Sequence, residues 1–254
     1  MDVVLRALAD QQAELDGLIS GLDEGGWAQP SRCAGWSIAD VVLHLAQTDE
    51  LATASALGTP SALSALGPTA AAAGRELTVD EAIEQMVGSQ RGQPGTAVRE
   101  RWLAAVAAQR EALATCEPGR RLRWLDGELA ARTLATTRLS ETWIHSGDVA
   151  WGLGVTLTAT DRLWHIARLA WRTVPYAFGR AATSLDGTVA LTLIAPDGST
   201  WDFGDRATAA TTIEGPAEQF CLIAARRLDP ADSTMRATGR HAAEVLRLVR
   251  TYAQ

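Results

Sequence analysis

The sequence predicts a mainly α-helical protein, an antiparallel four-helix bundle followed by a small α+β domain. Three observations predict it. Apolar residues recur at helical spacing through several long segments before residue 185. Beyond that point the pattern changes to alternation around a Pro-Asp-Gly turn. The length, 254 residues, exceeds the roughly 100–200 residues of a single domain. A helical domain over 1–184 and a small α+β domain over 185–254 are therefore expected.

Val4, Leu5, Leu8, Leu15, Leu18, Ile19 and Leu22 repeat with a helical period, giving a first helix over residues 3–22. EGGWAQPSRCAGW is rich in breakers and reads as a loop. A second helix opens at Ser37, where Asp40 three residues on makes an acidic variant of the capping box, and it carries His44. Residues 58–74, mostly Ala, Ser, Gly, Thr and Pro, read as a long connection or flap. Helical patterns resume over 79–87 and 97–113, then over 129–152 and 159–181. The long segments form a bundle of four with one helix left as a flank. GTVALTLIAPDGSTWDFGD then reads as a β-hairpin, ATTIEG as a third strand, PAEQFCLIAARRL as a helix and 241–252 as a last helix.

Composition excludes several functions. The formal charge of −7 argues against a nucleic-acid-binding surface. All of the basic residues are Arg, so no Lys is available for a Schiff base, a phosphate loop or a Ser-Lys dyad. The three cysteines, Cys33, Cys116 and Cys221, lack the paired spacing of a disulfide framework or zinc ribbon. A reducing, cytoplasmic setting is expected. The N-terminal segment reads as an amphipathic helix rather than a signal peptide, and no apolar run approaches the ~20 residues of a membrane span.

The chemistry concentrates in RLSETWIHSGD, residues 138–148. Glu141 and His145 stand four apart, so on a helix both point into one volume. If the His44 helix faces this one, His44, Glu141 and His145 converge as two imidazoles and a carboxylate, a three-ligand set that leaves room on zinc or another divalent ion. An i, i+4 Glu–His pair is also an ordinary helical ion pair, so spacing alone leaves both readings open. Arg138 and Asp148 share the stripe, and Asp49 follows His44 by five residues, where they suit support of such ligands. Cys33 reads as a packed small residue, and His165 and His241 as surface or capping residues. Trp27, Trp36, Trp143, Trp164 and Trp171 read as bundle packing, one or two of them lining a pocket.

PSRCAGWSIADVVLHLAQTDE, with RLSETWIHSGDVAWGLGV downstream, resembles the mycothiol-dependent maleylpyruvate isomerase family of the DinB-like metalloprotein fold. The first stretch resembles its Cys-x-Gly-Trp-Ser…His-Leu signature and the second its Glu-x-x-x-His-x-x-Asp signature. LTLIAPDGSTWDFGD and GPAEQFCLIAARRL resemble an actinobacterial, metal-binding branch of that family. The resemblance implies zinc ligands at His44, Glu141 and His145. It also implies a catalytic Arg from the C-terminal domain, for which the matching helix offers Arg226 and Arg227, Arg226 being preferred. A divalent metal, zinc in this family, would activate mycothiol as thiol cosubstrate for isomerisation or S-transfer on a small organic substrate. The alternatives are a thiol-independent Lewis-acid metalloenzyme of a secondary-metabolite pathway and a non-catalytic metal-binding module. The expected partners are a small-molecule substrate, with no nucleic acid and no membrane, in a monomer or homodimer.

Overall fold

The computed structural model describes residues 1–59, 78–125 and 127–251. The chain divides into two compact units, one over Met1–Leu157 and a second beginning at Thr158. The connection expected over 58–74 lies, past Thr59, outside the described residues.

The first unit is built on α1 (Asp2–Ile19), α2 (Glu24–Trp27), α3 (Ile38–Leu57), α4 (Val79–Gly88), α5 (Gly95–Ala114), the hairpin β1 (Arg121–Trp124) and β2 (Gly127–Ala130), and α6 (Ala131–Gly152). The start of α3 follows its sequence signal. Ser37 Oγ accepts from the Asp40 amide at 3.2 Å, and Asp40 Oδ2 accepts from the Ser37 amide at 2.9 Å, so two of the orphan N–H groups at that end are satisfied. Gly58, at φ 72°, ends the helix in the left-handed conformation that glycine adopts without steric cost. Where a helix was expected from residue 129, Leu129 and Ala130 instead pair with Leu122 and Arg121 in the short hairpin. The helix begins only at Ala131, whose amide is already bound to the carbonyl of Arg120 at 2.9 Å.

The four long helices α1, α3, α5 and α6 pack around Leu8, Leu15, Val41, Leu45, Trp102, Val106, Leu134, Leu139 and Val149, all less than 4% exposed. Inside this apolar core runs a polar layer to which every helix contributes. Arg138 of α6 donates from Nε to Asp49 Oδ1 of α3 at 2.9 Å and from Nη2 to Thr48 Oγ1 at 2.8 Å. Gln109 of α5 donates to the same Asp49 oxygen and accepts from Gln12 of α1 at 3.3 Å. Arg138 is 1% and Asp49 0% exposed. Burial pushes the Asp49 carboxyl up, against the opposing pull of Arg138.

The second unit holds α7 (Leu163–Arg180), the strands β3 (Val189–Ile194), β4 (Thr200–Phe203), β5 (Thr211–Pro216) and β6 (Arg236–Gly239), and the helices α8 (Ala217–Ala224) and α9 (Ala242–Leu248). The sheet order is β4-β3-β5-β6, with β3 and β5 parallel and the outer pairs antiparallel. The expected hairpin is β3–β4. Strand β6 escapes the sequence because its four residues are mostly exposed and show no apolar alternation. A boundary after residue 184 places the 159–181 helix with the bundle, whereas α7 belongs to the second unit. Its buried stripe, Leu163, Ile166, Ala170, Val174 and Phe178, meets α8 and α9, and Trp171 Nε1 donates to the carbonyl of Val189 at 2.8 Å. Trp164 and Trp171, expected in the bundle, go with it. Among the described residues no helix is long and apolar enough to cross a membrane.

Removing one member of a buried ion pair strands the other, a loss of about 3–5 kcal/mol. Arg138→Met and Asp49→Leu are therefore each expected to lower the unfolding free energy by about that amount in urea titrations, and the double substitution by less than the sum. Additive losses would show that the layer is not one coupled unit.

Candidate metal centre

The site rests on two helices and one loop. Helices α3 and α6 are locked by the Asp49–Arg138 pair. Moving back five residues on α3 and forward three to seven on α6, about 7.5 Å and 4.5–10.5 Å at 1.5 Å per residue, brings His44 opposite Glu141 and His145. Both pairings together require antiparallel helices. The expected convergence is present. His44 Nε2 stands 3.9 Å and His145 Nε2 3.7 Å from Glu141 Oε2, and the two rings meet edge to face with centroids 5.0 Å apart. His44 is 4% and His145 8% exposed, and the side chain of Glu141 is 15% exposed.

These separations are too long for hydrogen bonds. They are close to what one ion imposes, since two donors about 2.1 Å from a tetrahedral zinc stand ~3.4 Å apart. Two imidazoles and a carboxylate are also a donor set that zinc accepts. The residues present therefore fit a divalent ion, and the three could hold one.

The loop over residues 29–38 closes the site. The Ile38 amide donates to the Gln29 carbonyl at 2.9 Å, the Ser31 amide to the Trp36 carbonyl at 2.9 Å and the Cys33 amide to Ser31 Oγ at 3.1 Å. The loop is also laced to α6, because the Arg32 amide donates to the Asp148 carbonyl at 3.2 Å. Gly152 permits this approach: a Cβ there would lie 2.5 Å from the carbonyl oxygen of Pro30. The closed loop sets Trp36 with its ring centroid 5.3 Å from that of His44, and its Nε1 donates to Glu84 of α4.

It also carries Cys33 into the site, where the sequence reading expects only packing. Cys33 Sγ donates to Asp148 Oδ2 at 3.2 Å, and His145 Nδ1 stands 3.0 Å from the same oxygen. Asp148 supports His145 as its place on the stripe suggests, whereas Arg138 and Asp49, expected beside it, are paired with each other. Arg226 and Arg227 lie in the second unit and not on the helix expected for them. Helix α8 ends at Ala224, the backbone turns through a left-handed Arg226 at φ 58°, and Arg226 Nη1 donates to the Arg247 carbonyl at 2.6 Å. Arg227 Nη1 donates to the Ala225 carbonyl at 3.2 Å. His241 stands at the N-cap position of α9 without a side-chain capping bond and accepts from the Asp186 amide at 3.1 Å, and His165 is half-buried against Trp164.

A family model described as the mycothiol maleylpyruvate isomerase N-terminal domain matches residues 8–150, which hold Cys33, His44, Glu141, His145 and Asp148. The chain belongs to the mycothiol maleylpyruvate isomerase family. Two uncharacterized proteins of Mycobacterium tuberculosis, from strains CDC 1551 / Oshkosh and ATCC 25618 / H37Rv, are each 34% identical over 250 residues, 97% of this chain and 95% of theirs. Among solved structures, a mycothiol-dependent maleylpyruvate isomerase is similar with a TM-score of 0.61 over 94% of this chain and 93% of that one, at 17% identity. A single-substitution mutant of a mycothiol-dependent maleylpyruvate isomerase gives a TM-score of 0.59 over 89% of each chain, also at 17% identity. At that identity the likeness is one of fold.

The two imidazoles differ in the field they feel. Burial, with help from His145 and Arg138 against the pull of Glu141, lowers His44 to about 4. Burial works on His145 too, but the hydrogen bond to Asp148 and the contact with Cys33 outweigh it and raise that ring to about 10. Burial would raise Glu141, yet the two histidines and Arg138 hold it below the ordinary carboxylate value.

In metal-free protein the depressed His44 contributes stability that is complete above pH 6.5 and lost as pH falls toward about 4. The raised His145 contributes stability that is complete below pH 6.5 and lost as pH rises through about 10. The Tm of chelator-treated protein should therefore be highest near neutrality. His44→Gln should flatten its acid limb and His145→Gln its alkaline limb in calorimetry. An acid limb unchanged in His44→Gln would contradict this origin.

Proposed function

We propose that this member of the mycothiol maleylpyruvate isomerase family is a zinc-dependent enzyme that uses mycothiol as thiol cosubstrate for isomerisation or S-transfer on a small organic substrate. The observation that carries the reading is the convergence of His44 Nε2, Glu141 Oε2 and His145 Nε2 at ion-sharing distances inside a family whose solved relative is mycothiol-dependent. Three protein ligands favour catalysis over a purely structural ion, which is normally closed by four. Zinc bound there would supply Lewis acidity that makes a thiolate available at neutral pH.

The chain's own residues would do the rest. His44, Glu141 and His145 bind and orient, and Asp148 keeps a proton on His145 Nδ1 so that Nε2 stays a ligand. Trp36 walls the site beside His44 and excludes water on that side. Arg138 is committed to Asp49 and Thr48, so substrate charge must be met elsewhere. Arg226 and Arg227 are assigned that task, because a guanidinium fork matches a carboxylate. In this reading the thiolate adds to a conjugated double bond and leaves a delocalised carbanion, the resulting single bond rotates, and elimination returns the thiolate, or the carbanion takes a proton from water and the thioether is retained.

Elemental analysis should find one zinc per chain in the wild type and less than about a tenth of that in His145→Ala, a ligand loss of the size that removes an ion held by three groups. Titrating the cobalt-substituted protein with mycothiol should then raise an intense near-ultraviolet thiolate-to-cobalt band. Turnover of an identified substrate without such a band would replace this reading by a thiol-independent metalloenzyme, and equal metal content in both proteins would sink the assignment of the three ligands.

Arg226→Ala should raise the KM for a carboxylate substrate about tenfold or more, the scale of one lost charge-assisted bond, with kcat changed less, and Arg227→Ala should act in the same direction. Unchanged KM in both variants would leave the second unit without this role.

A further inference from the structure

Outside the three ion-facing atoms lies a second cluster of reactive groups, in which Cys33 joins Asp148 and the far nitrogen of His145. Their geometry is tight. Asp148 Oδ2 lies 3.2 Å from Cys33 Sγ and 3.0 Å from His145 Nδ1, while sulfur and nitrogen are 3.9 Å apart. Asp148 is fully buried, so this oxygen is held between a thiol donor and a ring N–H with little water to compete.

The other two cysteines show what packing alone looks like. Cys116 Sγ faces the Ala112 carbonyl one helical turn back at 3.4 Å, and Cys221 Sγ faces the Leu163 carbonyl at 3.7 Å. Cys33 is instead aimed at an acidic side chain 115 residues away, by a loop tied to itself at Ser31 and Trp36 and to α6 at Asp148. One aspartate thus receives the loop twice, through its carbonyl from Arg32 and through its carboxylate from Cys33. His44 makes the contrast within the site, for its Nδ1 has no hydrogen-bond partner among the described residues.

We infer that Cys33 is a positioning residue of the metal centre: its thiol fixes the Asp148 carboxylate, which holds His145 with Nδ1 protonated and Nε2 turned toward Glu141 and His44. The inference rests on the metal reading above. A pivot of the carboxylate about its own side-chain torsion would carry the imidazole with it. The thiol removes that freedom at the cost of no charge. The same three atoms could also be a donor set for an ion of their own. That arrangement requires loss of the thiol and Nδ1 protons and makes His145 a bridge between two ions, whereas the relay keeps both hydrogen bonds.

The test is zinc affinity of the full chain, by competition with a chromogenic chelator, in wild type, Cys33→Ala, Cys33→Ser and Asp148→Asn, with circular dichroism as the check on folding. Loss of an outer-shell partner costs about 10–100-fold in metal affinity, and Asp148→Asn should fall in that range. Cys33→Ala should lose about fivefold to tenfold, and Cys33→Ser, whose hydroxyl donates to the same oxygen, should return to within about threefold of wild type. Cobalt-loaded wild type without added thiol should show no intense near-ultraviolet band. Wild-type affinity in Cys33→Ala, or equal weakness in Cys33→Ser and Cys33→Ala, overturns the relay and leaves the metal reading standing. A cobalt band that disappears in Cys33→Ala makes Cys33 a ligand and overturns the relay in favour of the second ion position. A wild type that binds no zinc removes the metal reading and the relay together.

Discussion

The contact between Arg138 and Asp49 is the constraint on which the rest of the first unit depends. A guanidinium and a carboxylate taken out of water are each costly, and their attraction offsets that cost only when geometry and further hydrogen bonds are good. Here those further bonds come from Thr48, Gln109 and, one step on, Gln12. All four long helices must be in register for the pair to be satisfied. Apolar residues alone would tolerate a slip of α6 against α3, since Leu, Val and Ala can repack. An ion pair with one arrangement does not tolerate it, and the register it selects is the one that brings His44 to Glu141 and His145.

The site is consequently asymmetric in how it is held. Glu141 and His145 share one helix, so their relation follows from helical geometry alone. His44 depends on the contact between helices and His145 also on the loop. Burial acts on both rings and both face Glu141, but only His145 has a second carboxylate, Asp148, at 3.0 Å, and the outcome is two imidazoles displaced in opposite directions from their ordinary value. Such a pair differs in how readily each nitrogen gives up a proton, although both meet the same carboxylate oxygen.

Much of this was legible in the residues. The capping box at Ser37 marked the start of α3, the i, i+4 spacing put Glu141 and His145 on one face, and the Pro-Asp-Gly turn marked the β3–β4 hairpin. What was hidden had physical reasons. The β1–β2 hairpin and β6 are four-residue strands, too short for alternation to rise above the background. The apolar stripe of α7 states that the helix is buried on one side but not against which unit, because period carries no information about partner. Cys33 could not be found from spacing, since its place is set by loop closure and by the missing side chain of Gly152, two features read only once the chain is folded. Arg226 shows the converse. Its segment continues an apolar helical pattern, yet the helix has already ended at Ala224.

The burial of the other two cysteine sulfurs has a consequence for a member of the mycothiol maleylpyruvate isomerase family. Disulfide exchange requires a thiolate that an incoming disulfide can reach. Cys116 and Cys221 are 5% and 0% exposed, and burial pushes the Cys221 thiol far up. The scaffold is thereby closed to mixed-disulfide formation at both positions, and a disulfide arriving from solution meets a single cysteine sulfur, the one hydrogen-bonded to Asp148.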